Sequence, residues 1–443
     1  MQTVDAAPDQ VRKAEEHIIP AFRKSLDEAL RERSDPRPQP ADDRMIFGLA
    51  DKAIRDYHAA TARSSSLPRL SQVQYWEIRQ RLYVTHGALG PLGELLALDG
   101  VEDIHIDGLQ GGYLEYGDHR EPLPVEYESE DQLVSLVRFY AEQAGKHFDP
   151  ANPIVTITLR DGSRLNAILP PVAKPLAITI RKQQLRRFLQ LEDLAKSRTL
   201  PFASIPLLEA AVRARLNIIL SGPTGTGKTT LARVLALMIP EGERTIVLET
   251  ETELWLHELR RGFISLEERD ANVEGAGQIT LQDLFQRGAL RQRPRRIIVG
   301  EVRGKEALDM IHAMTSGHDG SLTTLHASGA RMALNRLEVL AMSADANLAP
   351  HVVRQMVGSG VDLVVHLATF HRGDQEVRRL ASLAFVAENL EDATGTPVVA
   401  EIARYRMLDD TWDWRPEVLI HMPDKVWQKL SVAGIDPERM ARR

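Results

Sequence analysis

The stretch Gly222-Pro223-Thr224-Gly225-Thr226-Gly227-Lys228-Thr229-Thr230 decides the reading of this chain. It lies between a short apolar run at 216–220 and a helix-like run at 231–239. Glycine, four residues, then Gly-Lys-Thr, set between a strand and a helix, is the phosphate-binding loop pattern. The chemistry requires these residue types. Glycines let successive backbone N–H groups turn inward around phosphate oxygens with no Cβ in the way. The start of the following helix adds partial positive charge. Lys228 can reach the β and γ phosphates, and the Thr229 hydroxyl can bind Mg²⁺. Thr230 completes the run without an assigned role. A nucleoside triphosphate site is therefore the starting expectation.

Downstream of the loop the chain alternates strand and helix patterns. Strands are expected at 216–220, 245–248, 296–299, 321–325 and 361–367, which argues for an α/β domain with a mostly parallel sheet and helices on both faces. After 367 the pattern changes, and 381–387 and 398–406 read as antiparallel hairpins at an edge. Trp412, Trp414 and Trp427 read as packing residues, because no basic cluster surrounds them.

Acids recur where strands end. Glu249 follows 245–248, with Glu251 and Glu253 close behind, and Glu301 follows Ile297-Ile298-Val299-Gly300. In a doubly wound sheet, residues at strand carboxyl ends converge on one crevice. A carboxylate there can hold Mg²⁺ or its waters, or take a proton from attacking water. His326 ends the strand at 321–325 on the same side as the loop. His318, in Gly317-His318-Asp319-Gly320, reads as a turn residue.

Upstream, 89–182 has the pattern of a separate α+β domain. Residues 101–107 and 113–116 read as strands, and Ser129 and Gln132 have capping-box spacing before a helix. Segments 154–159 and 164–169 flank Asp161-Gly162 as a hairpin, and 177–180 is a last strand. Arg164 and Arg181 occupy strand positions near the next domain. They read either as solvated surface arginines or as arginine fingers reaching a γ-phosphate across an interface. Residues 1–88 read as a helical docking or capping module. Val11, Ala14 and Ile18 share a face before Pro20 interrupts, and further helices are expected at 45–60 and 71–83. Spacers are expected at 34–41 and 61–69, and a polar linker at 183–200. The domain division is 1–88, 89–184 and 185–443.

Composition sets limits. The 443 residues are 43% hydrophobic and 26% charged, ordinary values for a globular protein. The absence of cysteine excludes disulfides and thiolate metal sites. A net charge of −7 argues against a nucleic-acid partner. No apolar run approaches a membrane span, and the first ten residues lack the features of a signal peptide. The expected location is the cytoplasm, with any membrane association peripheral. No Asn-Lys-x-Asp motif supports GTP over ATP.

Several motifs together resemble the hexameric traffic ATPases of type II and type IV secretion and type IV pilus systems. Among these the chain is most similar to the CpaF-type branch that powers tight-adherence (Tad) pili. The resemblance rests on 222–230 and the preceding Ala210-Ala-Val-Arg-Ala-Arg-Leu-Asn217. It also rests on Val247-Leu-Glu-Thr-Glu-Thr-Glu-Leu254, on the Walker B segment 289–304 and on Gly317-His-Asp-Gly-Ser-Leu-Thr-Thr-Leu-His-Ala327. Glu102-Asp-Ile, Asp161-Gly-Ser-Arg-Leu-Asn166, Pro170-Pro171 and Thr179-Ile-Arg-Lys182 extend it to about residues 90–408. The resemblance implies ATP and Mg²⁺ as ligands, with Lys228 and Thr229 serving phosphate and metal. It implies Glu301 as the Walker B glutamate acting on water, Glu249 as support for the metal, and His326 as the γ-phosphate sensor. Arg164 and Arg181 match arginines that approach the nucleotide. A homo-hexamer is implied, at the inner face of the cell membrane, with an inner-membrane platform protein of a pilus or secretion system as partner. A ring motor acting on DNA is the alternative. Two positions depart from the family pattern. Thr250 stands where the acidic box usually has Asp, and Arg295 where an Asp usually follows Arg-Pro. The first leaves one carboxylate fewer in the metal network.

Overall fold

The computed structural model describes residues 8–31, 42–61, 67–86, 91–109, 111–116, 119–124, 129–159, 161–183, 189–269, 271, 276–345, 347–373, 375–391 and 397–436. The expected spacer at 34–41, residues 62–66 of the second spacer and residues 184–188 of the linker lie outside them. The chain divides into two compact units, Met1–Arg186 and Arg187–Arg443.

The first unit opens with helices Pro8–Leu30, Asp43–Thr61, Gln72–His86 and Pro91–Ala97. Pro20 does not end the first of them; the helix continues through it. Ala14, Ile18, Phe22, Leu26 and Leu30 form a buried stripe at four-residue spacing on both sides of the proline, which itself is exposed. Packing along that stripe outweighs one lost backbone bond, and the orphaned carbonyl can turn to water. Strands β1 (Val101–Asp107), β2 (Gly112–Tyr116), β3 (His119–Pro122), β4 (Ile154–Thr158), β5 (Arg164–Ile168) and β6 (Ala177–Arg181) then form an antiparallel sheet in the order β3-β2-β1-β6-β5-β4. Helix Glu130–Gln143 starts where expected, with the Ser129 side chain accepting from the Gln132 N–H at 3.2 Å. One hydrophobic cluster runs from Ala14 to Ile180, so the N-terminal helices and the sheet share a core.

In the second unit the strands are β7 (Ile218–Ser221), β8 (Thr245–Glu249), β9 (Phe263–Glu267), β10 (Arg296–Val299), β11 (Leu322–Leu325), β12 (Leu363–Arg372), β13 (Gln375–Glu391), β14 (Pro397–Arg406) and β15 (Thr411–Trp414). Their order is β15-β14-β13-β12-β7-β11-β10-β8-β9. From β12 to β9 every pairing is parallel; β13, β14 and β15 add an antiparallel edge. Every residue of β7, β8, β10 and β11 is buried, as strands covered on both faces require. Alternate residues separate accordingly. Ile218, Leu220, Val247 and Ile298 join one cluster with the helices Ile205–Arg213 and Lys228–Leu237, and Trp412, Trp414 and Trp427 pack against it. Ile219, Ile246, Leu248 and Ile297 join the other, with helices Glu306–Thr315 and Ala330–Ala344. The period-2 alternation of each strand thus feeds two helical layers. The segment read as a linker contains a helix, Leu191–Lys196, whose Leu191, Leu194 and Ala195 are buried in the first cluster.

Candidate nucleotide site

Because β7, β8, β10, β11 and β12 are parallel, their carboxyl ends lie along one edge of the sheet. The phosphate-loop motif follows β7 there. Gly222 has φ +152°, and a Cβ on it would sit 2.2 Å from the Leu367 carbonyl oxygen of the neighbouring β12. Gly227, the residue before helix Lys228–Leu237, has φ +93°, which side chains rarely adopt. Pro223, Thr224 and Gly225 form the exposed tip of the loop, and the Thr226 hydroxyl closes it by donating to Pro223 O at 2.9 Å. Lys228 donates to Gly222 O at 2.9 Å and Pro223 O at 2.8 Å. Burial lowers its pKa; Glu301 and Glu253 act in the opposite direction.

Glu249, the last residue of β8, is 2% exposed. Its Oε1 accepts from the Glu253 and Leu254 N–H groups, both at 2.9 Å. Its Oε2 is buried without a hydrogen-bond partner, and burial pushes the carboxyl pKa up to about 7. Gly300 permits the close passage of this side chain, since a Cβ there would meet Glu249 Cγ at 2.9 Å. Arg233, on the helix that begins with Lys228, holds the same segment from the other side. It donates to Leu254 O at 3.1 Å and Glu253 O at 2.7 Å. Full burial brings its pKa down to about 10, against the pull of Glu249 and Glu253. Backbone at 253–254 is thereby pinned through both its donors and its acceptors. The Glu253 side chain then receives a hydrogen bond from the Thr229 hydroxyl at 3.3 Å.

Glu301 follows β10 by two residues. Its Oε1 lies 3.0 Å from His326 Nε2, and its Oε2 accepts from Arg303 Nη2 at 2.6 Å. His326 follows β11, so the two side chains meet because neighbouring parallel strands end together. At the floor of the loop, His366 of β12 is buried with Nδ1 3.0 Å from Ser221 Oγ, and burial lowers its pKa. Arg164 and Arg181 face each other in register on β5 and β6 of the first unit. Both are exposed, and Arg181 Nε lies 3.4 Å from Asp103 Oδ1.

The structure therefore brings Glu301 and His326 together and sets Thr229 against Glu253. Arg233, Arg303 and His366 escape a sequence reading. His366 carried a sequence signal in its place at the end of an expected strand, and Arg303 in its place within the segment 289–304; Arg233 is recognisable from tertiary contacts alone. Among the described residues, no three His, Asp or Glu side chains converge on a metal site of their own. The donors present are oxygens, namely the Thr229 hydroxyl, the Glu253 carboxylate and the unpartnered Glu249 Oε2. That set suits Mg²⁺, which commonly takes one or two protein oxygens and completes its shell with water and phosphate.

Residues 91–398 match the family described as type II/IV secretion system protein. The chain belongs to that family of secretion ATPases. It is 32% identical over 306 residues to a putative conjugal transfer protein of Mycobacterium tuberculosis, a match covering 68% of this chain and 84% of that protein. It is 32% identical over 274 residues to the type IV secretion system protein PtlH of Bordetella pertussis, covering 56% of this chain and 79% of the relative. It also aligns with the crystal structure of the VirB11 ATPase of the Brucella suis type IV secretion system, at 26% identity and TM-score 0.35, over 68% of this chain and 96% of that one. In this family member no helix among the described residues is long and apolar enough to cross a membrane.

Proposed function

We propose that this chain is a hexameric motor that couples Mg-ATP hydrolysis to assembly of a Tad or type IV-like pilus or to type II/IV secretion. It would work at the inner face of the cell membrane, against a platform protein of that membrane. The observation that carries the reading is Glu301 held between His326 and Arg303 at the same sheet edge as the phosphate loop.

Loop N–H groups and Lys228 hold the β and γ phosphates, the ammonium leaving the Gly222 and Pro223 carbonyls for phosphate oxygens. Mg²⁺, when bound, neutralises charge that develops on the phosphates. Thr229, Glu253 and Glu249 are the residues that would hold it or its waters. Glu301 orients the attacking water and takes its proton. His326, against the same carboxylate, registers the γ-phosphate. Arg164 and Arg181 serve as arginine fingers on a bound nucleotide. Thr250 leaves the metal surroundings one acid short, which slows turnover without removing it. Purified protein is expected to hydrolyse ATP only with Mg²⁺, and Glu301→Gln to lose turnover while keeping nucleotide affinity. Undiminished hydrolysis in that variant removes Glu301 from this role. Mass by light scattering with ATP tests the hexamer.

A ring motor acting on DNA is the second reading. Arg244, Arg261, Arg291, Arg293 and Arg295 are all exposed around the amino ends of β8, β9 and β10. That local basic rim suits a polyanion despite the net charge of −7. Salt-sensitive binding of single-stranded DNA that stimulates ATP hydrolysis would put this reading first.

A further inference from the structure

Arg303 is not accounted for by the roles above. Its guanidinium is 64% exposed, yet it donates to Glu301 Oε2 at 2.6 Å across only two residues of chain. Such a short-range contact on a solvated side chain is usually weak and interchangeable. Here the backbone that carries it is fixed. Glu306, itself buried, accepts from Arg303 N at 2.6 Å and Gly304 N at 2.7 Å. On the other flank, Val302 N donates to Thr324 O at 3.0 Å, and the Thr324 hydroxyl donates to Gly300 O at 2.6 Å. The turn from Gly300 to Gly304 is thus tied to β11 at one end and to the following helix at the other. From this frame Arg303 donates to Glu301 Oε2, while His326 Nε2 lies 3.0 Å from Oε1, which is buried without a hydrogen-bond partner. The hydrogen bond to Glu301, with Glu253 and Glu251 adding less, favours the charged form of Arg303, and that charge in turn opposes the charge of Lys228.

We propose that Arg303 is a positioning residue, which fixes the rotamer of Glu301 so that one carboxylate oxygen faces the attacking water. The inference rests on the reading of Glu301 as the water-activating group. A planar guanidinium suits this task, since its fork of donors fixes direction as well as distance. An ammonium in its place keeps charge but loses the fixed direction.

The test compares Arg303→Ala, Arg303→Lys, Glu301→Gln and the double variant Arg303→Ala/Glu301→Gln in the full chain. Steady-state Mg-ATP hydrolysis is measured beside equilibrium binding of a fluorescent ATP analogue and of ADP. Arg303→Ala is expected to lower kcat about 10- to 100-fold, the usual loss when a partner that orients a functional side chain is removed. Affinity for both nucleotides should stay within about twofold of wild type, with Arg303→Lys intermediate in kcat. Combined with Glu301→Gln, the arginine change should cost nothing further, because it acts through that carboxylate. Wild-type kcat in Arg303→Ala would overturn the inference and leave the proposed function intact. A selective loss of affinity for the triphosphate would also overturn it, because Arg303 would then touch phosphate directly. A wild-type protein without Mg-ATP turnover would instead overturn the reading beneath it.

Discussion

Lys228 donates its ammonium protons to the Gly222 carbonyl at 2.9 Å, bending back over the loop that it follows. With Pro223 O at 2.8 Å, the contact buries a cation on two backbone dipoles at the carboxyl end of β7. Burial lowers the pKa of Lys228, so the site holds an ammonium that is incompletely compensated. Phosphate oxygens would compensate it better than carbonyls do. Lys228→Ala is therefore expected to weaken ATP binding about 10- to 100-fold, the range for losing a hydrogen bond to a charged group. Isothermal titration of wild type and variant reads this directly, and equal affinities would separate Lys228 from phosphate.

Glu253 reaches the Thr229 hydroxyl at 3.3 Å because Arg233 and Glu249 pin the backbone on which it is mounted. If this pair shapes the metal's surroundings, Glu253→Gln should raise the Mg²⁺ concentration for half-maximal hydrolysis about tenfold, with little effect on ADP affinity measured without metal. An unchanged Mg²⁺ curve would place Glu253 outside the metal's shell and leave its hydrogen bond to Thr229 as a local tether.

Much of this site was legible before the fold was known, for a physical reason. The strands carrying it are short and apolar, and residues 296–299 have no solvent-facing positions to confuse the pattern. Glu249, Glu301 and His326 each stand at the end of such a strand. Less legible were elements where burial is mixed. β9 has only Phe263 fully buried and is an edge strand, so its pattern did not separate from the loops beside it. β12 runs on to Arg372 through exposed and charged residues that look like a turn. Pro20 signals a break when read locally, but the buried stripe on both sides carries the helix through. Arg233 reads as an ordinary helical arginine; only the packed structure shows it 3% exposed beneath the acidic segment.

Glu249 has a pH signature of its own. Burial raises its carboxyl pKa to about 7, so the folded chain keeps a proton that the unfolded chain releases at its ordinary carboxyl pKa. The stability this supplies is complete below the unfolded value, about 4.3, falls as pH rises and is gone above about 7. Glu249→Gln keeps an oxygen for the Glu253 and Leu254 N–H groups but cannot titrate. Denaturant unfolding from pH 5 to 8 should show wild type losing stability relative to the variant by at most about 1.4 kcal/mol per pH unit. The two curves should run parallel above pH 7.5. Parallel curves throughout would mean that the carboxyl is already ionised at pH 5.

Asn217 is a buried residue on which a large stability effect is expected. Its Oδ1 accepts from Gly320 N and Ser321 N, both at 3.0 Å, and its Nδ2 donates to Met314 O at 3.2 Å and Gly360 O at 2.7 Å. Its own N–H donates to Asp362 Oδ2 at 2.8 Å, an acid fully buried and met by Lys429 at 2.6 Å. All four side-chain hydrogen-bonding positions are used, two as acceptor and two as donor, and only an amide offers that combination. Asn217→Leu fills a similar volume but strands two N–H and two carbonyl groups away from water. Each such group costs about 1–3 kcal/mol, so the variant should lose several kcal/mol and express poorly. Asn217→Asp is the sharper comparison, since it restores the acceptors while placing an oxygen against the Met314 and Gly360 carbonyls. It should remain clearly destabilised in a urea titration above pH 7, where the new carboxylate tends to ionise. An Asp variant as stable as wild type would show that these two carbonyls find other donors, and that the amide's donor half is dispensable.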